Sequence, residues 1–221
     1  MQGTLLSVQV GTPQDHVTPE GFAGAGEQTW RSGIVKTPVA GPVRVTPQGI
    51  AGDGQDDLKH HGGPDNVALM YAAAHYAHWR QVLERTDLAF GSFGENLTVD
   101  GLTDQTVCLG DVFEVGRGPG ALRLQISQPR QPCSKLARRL ARPDIVKLVM
   151  DAGWGGWYLR LLQEGVVEVG MRVTLVARPH ADWPVTRAVR VMYERKTRPA
   201  EAAELAALPE LSRRWRREVL V

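Results

Sequence analysis

The segment QPRQPCSKL, residues 128–136, sets Cys133 between Arg130 and Lys135, with Pro132 directly before the sulfur and Arg138 and Arg139 one turn further on. A strand-like LRLQIS precedes it and a helix-like SKLARRL follows. The thiol is therefore expected near a helix N-terminus, where the dipole and the neighbouring cations favour the thiolate form. A thiolate so placed serves as a nucleophile, as half of a redox couple, or as a ligand for a soft metal, and the segment leaves all three open. The other cysteine, Cys108, lies in the apolar run TVCLGDVF and reads as structural. A disulfide between the two is disfavoured, because a chain of 221 residues can bury a sizeable core without one. Neither a CxxC pair nor an HExxH is present.

Three further stretches carry residue types that chemistry uses. In GIAGDGQDDLKHHGGPDN, residues 49–66, His60 and His61 precede Gly62 and Gly63. A helix is expected to start at Pro64-Asp65, so glycine backbone and free helical N–H groups could receive a phosphate-bearing ligand. A tight loop whose histidines cap or pack is the competing reading. Adjacent histidines in an extended segment point to opposite sides, so both do not chelate one metal. In FGENLTVDG, residues 93–101, Gly94, Glu95 and Asn96 form a turn into a strand, and Asn96 braces such a turn as readily as it binds a ligand. In GWGGWYLRLLQEG, residues 153–165, aromatics flank a glycine pair ahead of an expected short helix, and core packing of Trp154, Trp157 and Tyr158 is preferred over a pocket for a planar substrate. His75 and His78 read as surface or packing residues, and RRWRRE as a solvated helix face.

These stretches need a scaffold. Short runs rich in Val, Leu and Ile recur with Gly and Pro between them: LLSVQV, GIVKTPV, VRVTP, NLTVDGL, VCLGDVFEV, LRLQISQP and VVEVGMRVTLVA. That pattern predicts a mainly β unit, and closure into a barrel removes its exposed edges. Two helical insertions are expected, one over residues 65–85 and one from Cys133 that breaks at Pro143 and restarts. From residue 180 the strand pattern ends, and three short helices separated at 197–199 and at Pro209 are expected. The division is thus a β-barrel domain over 1–179 and a three-helix domain over 180–221.

Composition excludes several classes. With 43% hydrophobic and 23% charged residues the chain is globular, and 26 Lys plus Arg against 24 Asp plus Glu give a net charge of +2, so no nucleic-acid or membrane partner is expected. The first residues lack a cationic stretch followed by an apolar one, which makes the cytoplasm the expected compartment.

Taken in order, GDGQDDLKHHGGPDN, FGENLTVDG, VCLGDVFEVG, QPRQPCSKL and GGWYLRLLQEGVVEVG resemble the MOSC domain family, specifically its YiiM-like branch, and the tail from Asp182 is similar to the three-helix domain of that branch. One departure is Gly170-Met171, where relatives of this type tend to read Gly-Asp, so a turn-bracing carboxylate is missing. The resemblance implies a β-barrel that binds molybdenum cofactor, the metal arriving with the cofactor and Cys133 giving its thiolate to molybdenum. Arg130, Lys135, His60, His61, Gly62 and Gly63 are then candidates to hold its phosphate, and Gly94, Glu95 and Asn96 to frame the pterin or substrate. It further implies reduction of N-hydroxylated bases such as 6-hydroxylaminopurine to the amine, independently of pyridoxal phosphate, with His60 or His61 supplying protons and a separate reductase supplying electrons. A sulfur carrier with a Cys133 persulfide is the alternative. A Cys-His hydrolase and a protein-binding module are further readings, the latter using the tail for docking or for forming a homodimer.

Overall fold

A computed structural model describes residues 1–20, 22, 29–56 and 62–221. Seven strands close into a barrel in the order β13-β9-β10-β11-β7-β8-β1, with β13 pairing back onto β1. They are β1 (Gln2–Val10), β7 (Ala68–Ala72), β8 (Leu97–Asp100), β9 (Val112–Val115), β10 (Leu122–Pro129), β11 (Trp157–Gln163) and β13 (Arg172–Ala177). Around them lie β2 (Gln14–Val17) paired with β3 (Thr29–Ser32), β4 (Thr37–Pro38) on the far end of β1, and β5 (Val43–Thr46) between β6 (Gly49–Ile50) and β12 (Gly165–Val167). Alternation sets the inner face: along β10, Leu122, Leu124 and Ile126 are buried while Arg123 is exposed.

Only β7 and β8 run parallel among the described pairs. Parallel neighbours need a crossover, and residues 73–96 supply it, carrying helix α1 (His75–Val82). Here the structure corrects the expected helix over 65–85. Its first part, Ala68–Ala72, is a strand buried at all five positions. A short apolar run fits strand or helix equally well by periodicity, and pairing on both sides, to Trp157–Leu159 and to Leu97–Val99, decides it against the helical preference of alanine. Pro64 and Asp65 sit in a turn closed by Asn66 N–H on the Gly63 carbonyl at 3.1 Å.

The short helix expected after Gly155-Gly156 is likewise strand β11. Gly156 has φ +77, and a Cβ there would lie 2.5 Å from the Met70 carbonyl oxygen. Glycine is what lets β11 come this close to β7.

The second insertion forms as expected: α2 (Ser134–Leu140) stops at Ala141, in the left-handed conformation, and α3 (Ile145–Ala152) starts after Pro143. Leu136, Leu140, Ile145 and Val149 pack with Tyr76, Trp79 and Phe93 in an apolar cluster outside the barrel. The tail forms α4 (Val185–Glu194), α5 (Pro199–Ala207) and α6 (Arg213–Glu218). Val185, Leu205 and Trp215 share one core with Phe113, Leu124 and Trp157 of the barrel.

Polar ties fasten this helical unit. Ser212 N–H donates to the Ser127 carbonyl at 2.9 Å, and its hydroxyl bonds the buried Gln128 amide. The same Ser212 oxygen caps α6 by accepting from Trp215 N–H at 3.1 Å. Replacing Ser212 by Ala removes the cap and strands Gln128, so it is expected to lower unfolding free energy by about 1–3 kcal/mol in urea titrations.

Candidate functional site

Cys133 caps α2 in extended conformation, φ −127 and ψ 172, and its carbonyl accepts from Leu136 N–H at 3.0 Å. Pro132 before it holds residue 131 out of the helical region, and the register shift between Ile126 and Gln128 redirects the end of β10 toward the same place. The side chain is half-buried and lies where two clefts meet.

The first cleft runs between the Ser32–Lys36 segment, the turn at Asp53–Asp56, Gly94 and Asn96, and the end of β10 with Arg130, Cys133 and Tyr158. Arg130 is 6% exposed. Its Nη2 donates to the Phe93 carbonyl at 3.2 Å, while Nη1 is buried with no partner. Among the described residues no carboxylate is within ion-pair range of it. A buried cationic donor left open in this way costs several kcal/mol unless a ligand satisfies it, so the cleft suits an anionic or acceptor-rich group.

Lys36 Nζ meets Asp53 Oδ1 at 2.5 Å, both side chains under a tenth exposed, and Gly11 N–H donates to the same oxygen at 2.8 Å. The sequence reading did not single out this pair. The available signal was Lys36 inside the otherwise apolar GIVKTPV, since lysine is almost never buried unless paired. Tyr158, weighed there as core, lines both clefts, and burial raises its phenol above the ordinary tyrosine pKa.

The other expected site residues fall as follows. Lys135 lines both clefts, but its ammonium donates to the Arg31 carbonyl at 2.8 Å and to Asp56 at 3.3 Å. Asn96 is on the cleft wall as a brace, its Oδ1 accepting from Leu69 N–H at 3.1 Å and its Nδ2 donating to the Gln9 carbonyl at 3.3 Å. Gly94 has φ +82, and a Cβ would lie 2.6 Å from Ile34 Cγ1. Glu95 sits behind the wall, fully buried, its carboxylate accepting from Gly91 N–H (2.7 Å), Phe93 N–H (3.2 Å), the Thr98 hydroxyl (3.0 Å) and the Tyr76 hydroxyl. Gly62 and Gly63 are outside the residues lining the cleft and lead into β7, so no helix N-terminus stands there to receive a phosphate. His60 and His61 lie outside the described residues.

A family model described as MOSC domain matches residues 57–174. The chain belongs to the MOSC domain family. Residues 183–220 match a second model, described as YiiM-like, 3-alpha helix domain. YiiM from Geobacillus stearothermophilus has the same fold, with a TM-score of 0.79 at 34% identity over 99% of this chain and all of that one. YflK of Bacillus subtilis is 38% identical over 96% of this chain and 91% of its own length. A protein named Reductase from Gibberella moniliformis is 34% identical over 94% of this chain, which corresponds to 35% of that longer protein. No helix among the described residues of this MOSC protein is long and apolar enough to cross a membrane.

Cys108, by contrast with Cys133, is 3% exposed, with Sγ on the Ala181 carbonyl at 3.5 Å. Iodoacetamide at pH 8 is expected to modify Cys133 and spare Cys108 in the folded protein, and to modify both after denaturation, as read by peptide mass spectrometry. Burial, with Asp111 adding to it, also raises the Cys108 pKa, and burial raises Tyr71, Tyr76 and Tyr158. Below their ordinary pKa values folded and unfolded chains both keep these protons. Above them the unfolded chain releases protons first, so this stability is lost as pH climbs toward the folded values. The urea midpoint is expected to fall progressively from about pH 9 upward, and Cys108→Ala to remove the earliest part of that fall.

Proposed function

We propose that this MOSC protein is a molybdenum cofactor-dependent reductase of N-hydroxylated bases such as 6-hydroxylaminopurine, acting as R–NHOH + 2e⁻ + 2H⁺ → R–NH₂ + H₂O. The observation that carries the reading is a half-buried thiol, Cys133, sharing a cleft with the buried and unpartnered Nη1 of Arg130. Membership of the MOSC family and a relative named Reductase support it.

The donor set fits the cofactor. Cys133 is the one soft ligand among the described residues that line the cleft, so it suits a metal that brings most of its ligands along. A dithiolene-held molybdenum does so, and it accepts one further soft thiolate. When bound, the cofactor supplies the two-electron change.

The chain's own groups do the rest. Cys133 Sγ holds the metal, and Arg130 Nη1 holds an acceptor oxygen of the cofactor, its phosphate being the strongest candidate. Gly33, Gly54 and Gly94 line the cleft and let its segments pack closely against one another, a Cβ on Gly33 falling 2.3 Å from the Gly54 carbonyl oxygen. Tyr158 Oη, kept protonated by burial, donates a hydrogen bond to the departing oxygen, and His60 or His61 delivers protons. Electrons come from a separate reductase. The Gibberella relative, of which the matched unit is about a third, has length to spare for further units in one chain. The cytoplasm is the proposed compartment.

The test is elemental analysis of protein made in a host that synthesises the cofactor, together with 6-hydroxylaminopurine turnover from an artificial electron donor. Wild type is expected to carry about one molybdenum per chain and to turn over, and Cys133→Ser to lose metal and activity by about 100-fold or more. A wild type that stays metal-free and inert while its Cys133 becomes persulfidated would replace the reductase with the sulfur carrier.

A further inference from the structure

The second cleft meets the first at Cys133, Lys135 and Tyr158 but is differently made. The first cleft has the Lys36–Asp53 pair, Arg130 and the backbone of Gly33, Gly54 and Gly94, and none of the C-terminal helical unit is among its described lining residues. The second is lined by Tyr158, Tyr193, Met150 and Gln131, together with Arg214 and Lys135, and none of its described lining residues is a carboxylate. Tyr193, on α4, and Arg214, on α6, come from the C-terminal helical unit. Tyr193 is 37% exposed although its neighbours on α4, Val191 and Met192, are buried. An aromatic ring left open in the same cleft as a half-buried thiol is a surface for another flat ring.

We propose that the second cleft is where the ring of the substrate docks, with Tyr193 as its stacking face, and that it takes uncharged or anionic heteroaromatic N-hydroxyl compounds in preference to cationic ones. The proposal rests on the reading of Cys133 as the metal ligand and adds which side of it the substrate uses. The charge preference follows from the lining. Arg214 is paired with Glu218 at 2.7 Å and Lys135 with Asp56 at 3.3 Å, and none of the described residues lining the cleft offers a carboxylate to a cation. Gln131 supplies a donor and an acceptor for ring nitrogens and exocyclic groups. In this arrangement the tail is the specificity element of the enzyme, and Tyr193 is a positioning residue that takes no part in the electron or proton changes.

The experiment titrates adenine, the ring of the expected product, into the full chain prepared without cofactor, by calorimetry, with benzamidine as a planar cation for comparison. Adenine is expected to bind at least about tenfold more tightly than benzamidine. Tyr193→Phe should keep adenine affinity, and Tyr193→Ala should weaken it roughly 5- to 150-fold. Tyr193→Met fills the space without an aromatic face and gives the same reading if the alanine variant melts early. With cofactor-loaded enzyme, Tyr193→Ala should raise KM for 6-hydroxylaminopurine and leave kcat close to wild type. Unchanged adenine affinity in a folded Tyr193→Ala or Tyr193→Met protein overturns the proposal. So does lowered molybdenum content at unchanged adenine affinity, which would give this cleft to the cofactor. Failure of the reductase reading shows separately, as wild type that takes up no molybdenum, and leaves the adenine titration readable.

Discussion

Arg130 N–H donates to the Gly156 carbonyl at 2.9 Å, and a Cβ on Gly155 would stand 2.3 Å from the Arg130 carbonyl oxygen. The end of β10 and the start of β11 thus pass at a distance that only glycine permits, and the site hangs on that approach. Asp104, fully buried, fixes the other side of it: one carboxylate oxygen accepts from Gly156 N–H at 2.9 Å and the other meets His75 Nε2 at 2.7 Å. His75 in turn stacks on Trp154, ring centroids 4.3 Å apart. The chain leaving the barrel toward Cys133 is therefore held by backbone, by a buried carboxylate and by an aromatic stack at once. Such over-determination is what keeps a buried guanidinium aimed at a cleft when it has no carboxylate to hold it.

The opposite wall is held by a second knot. Glu95 collects two backbone N–H groups and two hydroxyls around one carboxylate, and Asn96 next to it bridges Leu69 of β7 and Gln9 of β1. Both residues stand at the start of β8, where the only parallel pairing among the described strands leaves backbone groups that a regular hairpin would have satisfied. Their polar side chains finish that hydrogen bonding. Burying a carboxylate costs several kcal/mol unless its oxygens are fully occupied, and four donors occupy these. The wall of the cleft is in this sense a by-product of closing the barrel through a crossover.

Much of this is written locally in the chain. The alternating strands, the helix starting at Cys133 with its break at Pro143, and the three short tail helices follow from period, proline placement and capping, and the residues concerned form those elements. The errors fall where partners distant in sequence decide. Ala68–Ala72 is a strand because β11 and β8 flank it, and Trp157–Gln163 is one because two glycines let it approach. Neither neighbour is visible from within the segment. The site divides in the same way. Cys133 and Arg130 stand out by type and spacing along one stretch, whereas Lys36, Asp53 and Tyr158 reach the same cleft from three separate elements, and nothing within any one of those elements says that they meet.

The Lys36–Asp53 pair then takes on a particular meaning. A buried ion pair is weak evidence for stability, because desolvating two charges roughly cancels their attraction and an apolar pair of similar size often does as well. Its position argues for use. Together with Arg130 and Lys135 it places three cations against Asp53 and Asp56 along one narrow wall, and Arg130 is the one with no carboxylate in ion-pair range among the described residues. A wall in which the cations were all neutralised would have no reason to hold an anion, and one in which none were would be too unfavourable to bury. Pairing Lys36 and Lys135 while leaving Arg130 open concentrates the unmet charge at a single guanidinium. The fork of that group matches an oxyanion, and it stands in the same cleft as the Cys133 thiol.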